Sequence, residues 1–349
     1  MNTLRVGLIG AGGISHVHAT GWRDLGAEVT VHSHEGATTL ADEYGFQVAD
    51  DLDALFAVVD VVDIVTPSGS HLALALAAIA AGKHVVCEKP LASTVEQARE
   101  LARAASAAGV QVYPAHVVRF FPEYAAVKRQ VDAGRVGTPA VLRFVRGGEA
   151  PRAGSWFFSE RDGGGIILDQ MIHDLDQALW LAGDVSQVYA VQSPTSVDGV
   201  VPGIVTAHVT LTHTSGAISH VQGTWGPRGT TFRTSADIAG TAGTLSIDSG
   251  RDTAVVVDLP AAGEADGYLP PPAHAESPYT TQLREYAAAF AGGPEPRVSP
   301  ADGIRAVALA EAAAASIASG RAVDIDLAAV VDLADAEGES ESELEGVPA

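Results

Sequence analysis

Cysteine is almost missing from this chain of 349 residues, and Cys87 is the only one. One thiol can form no intramolecular disulfide and no cysteine-based metal cluster, which fits a reducing compartment. Basic residues are scarce as well. The chain has 21 Lys and Arg against 43 Asp and Glu, a formal net charge of −22, which argues against nucleic acid or an anionic membrane as partner. Part of the excess is local. Asp332, Asp335, Glu337, Glu339, Glu341, Glu343 and Glu345 bring seven acids and no base, so residues 331–349 read as an acidic disordered tail. Long apolar runs are lacking too, and no stretch has the length a membrane span needs. The opening MNTLRVGLIG enters a strand pattern without the apolar core and cleavage site of a secretory signal. The expectation is a cytoplasmic protein. No internal repeat is visible.

What is present points to two domains. Hydrophobic residues make up 47% of the chain, enough for sizeable cores. Leu4 to Ile9 reads as a short buried strand. It runs into Gly10-Ala11-Gly12-Gly13-Ile14-Ser15, and Val17 to Leu25 follows with helical character. This is G-x-G-x-x-S, with Ser15 at the usual third glycine. The first glycine makes the turn, and the second lets backbone approach a pyrophosphate seated on the helix N-terminus. Ile14 lies inside that turn. The next strand, Glu28 to Val31, leads to Ser33 and His34, where an NAD site usually carries an acid for the ribose. Ser33 tolerates a 2′-phosphate, His34 adds positive charge when protonated, and Glu35 is a substitute ribose acid. The cofactor is therefore expected to be NAD or NADP, with the balance towards NADP.

Helix and strand patterns then alternate through Val58–Val65, Leu72–Ala81, Val95–Ala108 and Val110–Pro114. Such alternation means a parallel, doubly wound sheet. Within it stands Gly82-Lys83-His84-Val85-Val86-Cys87-Glu88-Lys89-Pro90, an apolar strand that ends on two opposite charges. Ligands of open α/β sheets sit beyond the carboxyl ends of the strands. Thr66, Ser68 and Lys89 all fall on that edge.

From Phe121 the pattern changes. Pro122 to Val131 reads as a helix and Pro139 to Arg146 as a strand. Gly163-Gly164-Gly165 opens a helix from Ile166 to Leu181. On it Asp169 and His173 are spaced i, i+4 and project from one face, with Asp176 beside them. The spacing allows a surface ion pair, two metal ligands without an evident third, or a general base with an orienting carboxylate. Strand patterns follow at Val185–Gln192, Ile204–Thr212, Ala217–Thr224, Phe232–Ala239, Gly243–Ile247 and Ala254–Asp258. Pro270-Pro271-Pro272 reads as a stiff connector, and helices cover Tyr279–Ala291 and Pro300–Ser319. His208, His213 and His220 lie on strands without metal-ligand spacing, so no metal site is expected.

Together, the glycine turn, Thr66-Pro67-Ser68 with His71, AGKHVVCEKPLA at 81–92 and GGGIILDQMIHDLDQALWLAG at 163–183 resemble the glucose–fructose oxidoreductase / inositol dehydrogenase family. The resemblance covers nearly the whole chain apart from the acidic tail. It implies an α/β protein in three parts: an N-terminal Rossmann domain over 1–120, an α+β domain with a large, open, mostly antiparallel sheet over 121–330, and the tail over 331–349. It also implies a homo-oligomer, dimer or tetramer, joined through that sheet. The implied activity is hydride transfer between NAD(P) and a ring hydroxyl or ketone of a sugar, cyclitol or glycoside. The implied catalytic group is Lys89, Asp169 and His173. Here His173 takes the hydroxyl proton, Asp169 fixes its imidazole, Lys89 steadies the oxygen and Glu88 orients Lys89. Thr66, Pro67, Ser68, His71, Glu88 and Lys89 are the expected coenzyme contacts beyond the turn. His116, Arg119 and Trp156 are further expected substrate contacts. A keto- or anhydro-sugar reductase and a non-catalytic NAD(P)-binding regulator are the alternatives; only the latter could dispense with Lys89, Asp169 and His173.

Overall fold

A computed structural model describes residues 3–160, 163–250, 255–258 and 276–333. The first part is β1 (Arg5–Ile9), α1 (Gly13–Asp24), β2 (Glu28–His32), α2 (Ala37–Tyr44), β3 (Gln47–Val48), α3 (Leu52–Val58), β4 (Val61–Ile64), α4 (His71–Ala80), β5 (His84–Glu88), α5 (Val95–Ala108) and β6 (Val112–Ala115). These strands form one parallel sheet in the order β3-β2-β1-β4-β5-β6, a doubly wound Rossmann arrangement. Helices cover both faces. That is why β1, β4, β5 and β6 are apolar almost throughout instead of alternating.

The second part is α6 (Pro122–Asp132), β7 (Pro139–Glu149), a π turn over Ile167–Met171, α7 (Ile172–Ala182), β8 (Val185–Ser193), β9 (Val205–His213), β10 (Ile218–Gly226), β11 (Arg233–Gly240), β12 (Thr244–Asp248), β13 (Val255–Asp258), α8 (Pro278–Phe290), α9 (Pro300–Ser319), β14 (Val323–Asp324) and α10 (Leu327–Val331). Its eight strands run in the order β13-β12-β11-β7-β10-β9-β8-β14. Every pairing is antiparallel except β7 with β10. α7 and α9 cover one face, and the strands alternate to match. Leu142 and Phe144 point into the core while Arg143 and Val145 point out.

Three expectations need correcting. The first helix begins at Gly13, four residues before the expected Val17, because Gly12 in the turn is itself the N-cap. The helix expected from Ile166 to Leu181 is present but not regular: Ile167–Met171 is wound as a π turn that runs straight into α7. The two-residue strands β3 and β14 and the short α10 escaped the sequence patterns, being too brief to show a period. The triple-proline connector and the tail from residue 334 lie outside the described residues.

Chain order and packing order differ. α8 follows residue 121, yet it packs on α1, and its Leu283 and Tyr286 share a core with Leu8, Trp22 and Val31. α9 touches both α5 of the first part and β8 of the second. A buried ion cluster reinforces this crossing. Arg119, just after β6, donates to Asp176 of α7 at 2.6–3.1 Å, to Asp302 of α9 at 3.1 Å and to the Arg297 carbonyl at 2.9 Å. Burial opposes its charge, but Asp176 and Asp302 outweigh that and raise the Arg119 pKa. Among the described residues, no helix is long and apolar enough to cross a membrane.

Arg119→Ala leaves Asp176 buried without its cation, so stability should fall by about 3–5 kcal/mol. Urea unfolding followed by circular dichroism measures this; a loss under about 1 kcal/mol would show that the cluster does not hold the parts together.

Candidate active site

The glycine turn after β1 is shaped for an anion. Gly10 has φ +115°, and a Cβ there would stand 2.9 Å from the Val65 carbonyl, so no other residue fits without strain. Gly12 caps α1 with no side-chain hydrogen bond, and no acid stands in the first turn. A Cβ on Gly12 or Gly13 would meet nothing within 4 Å. Free N–H groups of a twelve-residue helix therefore face open space, as a pyrophosphate requires. Ile14 follows, half-buried, and the buried Ser15 hydroxyl has no partner within the described residues. The residues present fit a dinucleotide. Ser33, half-buried, and His34, exposed, stand beyond the end of β2.

One turn into α1, His18 is fully buried. Its Nδ1 lies 2.8 Å from Asp63 of β4, and its Nε2 lies 3.1 Å from Glu88 of β5. Trp22 adds an indole N–H to the same Asp63 oxygen at 2.6 Å. With a carboxylate on each nitrogen, both nitrogens must donate, so the ring is an imidazolium. Burial opposes that charge, but Asp63 and Glu88 prevail and push the His18 pKa up to about 10. The converse holds for Glu88: burial works against its charge, and His18 holds the carboxyl below its usual range. The other Glu88 oxygen accepts the Lys89 backbone N–H at 2.9 Å. Glu88 thus fixes Lys89 through its backbone, while the ammonium finds its partners elsewhere.

The Lys89 ammonium reaches across to the second part. It donates to the Asp169 carboxylate at 2.9 Å and to the Asp169 carbonyl, within the π turn, at 2.7 Å. Both side chains are mostly buried, 16% and 18% exposed. This corrects the expected Asp169–His173 partnership, because Asp169 serves Lys89 instead. His173 Nδ1 is buried with no partner among the described residues. Burial, followed by the positive charges of Lys89 and Arg146, drives its pKa well below 6.5. His173 is thus neutral at ordinary pH. Arg146 itself is held bidentately by Asp174 at 2.8 Å.

Lys89, Asp169 and His173 line one cavity of about 540 Å³ together with Arg146 and Tyr279. An ammonium donor and a neutral imidazole facing one space can stabilise a developing alkoxide and accept its proton. Other expected contacts lie elsewhere. His71 is buried, with its nitrogens 2.8 Å from the Pro90 carbonyl and 2.9 Å from the Thr66 carbonyl; it ties the two strand-end loops together and has nothing left for a coenzyme. Ser68 is buried, while Thr66 and Pro67 remain at the surface of their loop. Arg119 is consumed by its ion cluster. His116 is buried, and burial lowers its pKa. Trp156 stacks on Phe157 with ring centroids 3.9 Å apart. None of these three lines the cavity, so their expected substrate contacts are not supported. The sequence reading missed His18, Asp63 and Arg146. Asp63 had left a signal, an acid inside the apolar run VVDVVDIV, since a buried charge demands a partner. Among the described residues no group of three or more His, Cys, Asp and Glu is arranged to hold a metal.

Comparison with known proteins adds the following. Residues 4–116 match the family model described as oxidoreductase family, NAD-binding Rossmann fold, and residues 124–246 match the GFO/IDH/MocA C-terminal domain. An inositol 2-dehydrogenase of Rhizobium meliloti is 29% identical over 342 residues, 93% of this chain and 99% of its own. A D-apiose dehydrogenase of Paraburkholderia graminis is 30% identical over 335 residues, 91% of this chain and 88% of its own. The solved structure of a levoglucosan dehydrogenase in complex with NADH and L-sorbose is 25% identical, with a TM-score of 0.79 over 93% of this chain and 100% of its own.

The two histidines should differ in charge. Nitrogen-15 imidazole spectra at pH 8 are expected to show His18 doubly protonated and His173 singly protonated. Because the folded His18 value is raised, its stabilising contribution is complete below 6.5 and is lost as pH climbs to about 10. A neutral His18 at pH 8 would refute the double clamp.

Proposed function

The chain belongs to the GFO/IDH/MocA family of NAD-binding oxidoreductases, and from that premise we propose that it transfers a hydride between NAD(P) and a ring hydroxyl or ketone of a sugar or cyclitol. The observation that carries this reading is that Lys89, at the carboxyl end of β5, and His173, on α7, line a single cavity. Its two sides come from the two parts of the chain. The substrates named for the relatives, inositol and D-apiose, lie in the same chemical class.

When bound, the coenzyme supplies the hydride acceptor or donor. The chain does the rest. The neutral His173 takes the hydroxyl proton during oxidation and returns it during reduction. Lys89 donates to the reacting oxygen and offsets the negative charge that grows there. Asp169 aims that ammonium through two acceptors. The His18 imidazolium and Glu88 hold the Lys89 backbone at the strand end. In this reading residues 1–120 supply most of the coenzyme site and 121–330 the opposite wall. For the coenzyme, Ser33 and His34 in place of a ribose-binding acid support acceptance of NADP. The single buried thiol supports a cytoplasmic setting. The uncovered face of the second sheet, with Tyr189 and Val191 exposed, supports a homo-oligomer.

Lys89→Ala and His173→Gln should each lower kcat for sugar oxidation by about 10²–10⁴. Parent-like turnover in both would remove them from the mechanism. Only neutral His173 accepts a proton, and its value lies well below 6.5. The kcat/KM of oxidation should therefore stay flat from neutral pH to below 6.5 and fall only in stronger acid; the Gln variant should lose that acid limb. Thermal shift with each coenzyme should show NADP⁺ stabilising the protein at least as much as NAD⁺, and a shift with NAD⁺ alone would refute the NADP assignment.

A further inference from the structure

The cavity in front of Lys89 and His173 carries an aromatic stretch away from its reactive groups. Its inner end carries the ammonium, the imidazole and the Asp169 carboxylate. The remaining lining has a hydrocarbon stretch, Val117, Val118, Phe121, Pro151, Phe157 and Phe232, beside polar side chains that include Glu123, Tyr124, Thr234 and Tyr279. Four of the polar side chains on that wall are already engaged, whereas the buried Tyr124 hydroxyl has no partner among the described residues. Arg146 spends two N–H donors on Asp174, and the Gln170 amide donates to the Arg146 carbonyl at 2.8 Å. Glu149 accepts the Gly229 N–H at 2.8 Å, and the Ser249 hydroxyl accepts the Thr234 N–H at 2.9 Å. A free polyol brings a hydroxyl on every ring carbon. Each one pressed against the apolar stretch would lose its water without a matched replacement. The cavity also continues: Glu149 and Pro151 line a second space of about 1430 Å³ on their other side.

We propose that the substrate is a sugar carrying an apolar aglycone, an aryl or alkyl glycoside, with the reacting hydroxyl at Lys89 and His173 and the aglycone against Phe121, Phe157 and Phe232 and past Pro151. This rests on the oxidoreductase reading and narrows it. The stretch around Phe121, Phe157 and Phe232 rewards hydrocarbon surface and leaves a hydroxyl pressed on it unpaired, so a ligand that lays an apolar group there is favoured. Phe232 is 63% exposed at the rim, as expected of a residue that a ligand, and not the protein itself, covers.

The test has two arms. Coenzyme reduction is followed with phenyl β-glucoside, methyl β-glucoside, their galactoside counterparts and myo-inositol. Calorimetry measures binding of the phenyl and methyl glycosides to the enzyme–NADH complex, where no oxidation occurs. The expected kcat/KM for a phenyl glycoside exceeds that for its methyl counterpart and for myo-inositol by about tenfold or more, and Phe232→Ala and Phe157→Ala should each shrink the phenyl-over-methyl ratio several-fold. If myo-inositol or a methyl glycoside is the better substrate, the aglycone assignment is wrong and the dehydrogenase reading stands. If no sugar is oxidised but phenyl glycosides bind about tenfold tighter, the aglycone site stands and the dehydrogenase reading falls. Equal binding with no oxidation overturns both.

Discussion

Two carboxylates buried inside a parallel sheet are tolerable only because a cation lies between them. Asp63 and Glu88 occupy neighbouring strands, and His18 from the overlying helix meets both. Taking any one of these charges out of water is costly by itself; together, with Trp22 donating to the Asp63 oxygen that His18 also meets, they offset one another. The geometric consequence matters more than the energy. The helix that begins at the glycine turn is pinned to β4 and β5 at their ligand edge. The anchoring atom on β5 belongs to the residue before Lys89 and also holds the Lys89 backbone N–H. One buried contact thus joins the helix at the glycine turn to the Lys89 backbone, and Asp169 then aims the ammonium.

The same logic organises the opposite wall. Three acids of the segment 169–176 meet three separate cations: Asp169 meets Lys89, Asp174 meets Arg146 and Asp176 meets Arg119. These pairs tie the π turn and α7 to the end of β5, to β7 and to the turn after β6. His173 stands in the middle and receives no carboxylate. Its neighbours in charge are Lys89 and Arg146, both positive. Burial and this company explain a neutral imidazole, which is the form a proton acceptor needs. An Asp–His pair, as the spacing first implied, would have favoured the charged ring.

Most of the architecture was legible in the sequence because it is written in periods. β1, β4, β5 and β6 are largely apolar runs between helical patterns, and β7, β9 and β10 alternate. What was lost lies below the reach of periodicity. Two-residue strands have no period. A π turn changes which residues share a face without changing composition, so i, i+4 spacing at Asp169 and His173 pointed to a contact that the backbone does not make. Partner choice among charges is also unreadable along one dimension: Arg119 finds Asp302 across 183 positions. That His116 and Trp156 do not line the cavity is unreadable for a related reason, since a motif places a side chain along the chain and not in space.

The division of the cavity follows from that charge pairing. Every acid of the 169–176 segment is matched by a base, and the bases come from strand ends and turns at the inner edge. The ammonium and the imidazole are thereby fixed at one end, and away from them Val118, Phe121, Phe157 and Phe232 supply an apolar stretch. A site built this way holds one hydroxyl firmly and reads the rest of the ligand by shape. Its catalytic end is fixed by the fold, while its selectivity rests on Val118, Phe121, Phe157 and Phe232, none of which takes part in any ion pair. Selectivity can therefore change through these residues without disturbing the contacts that hold Lys89 and His173 in place.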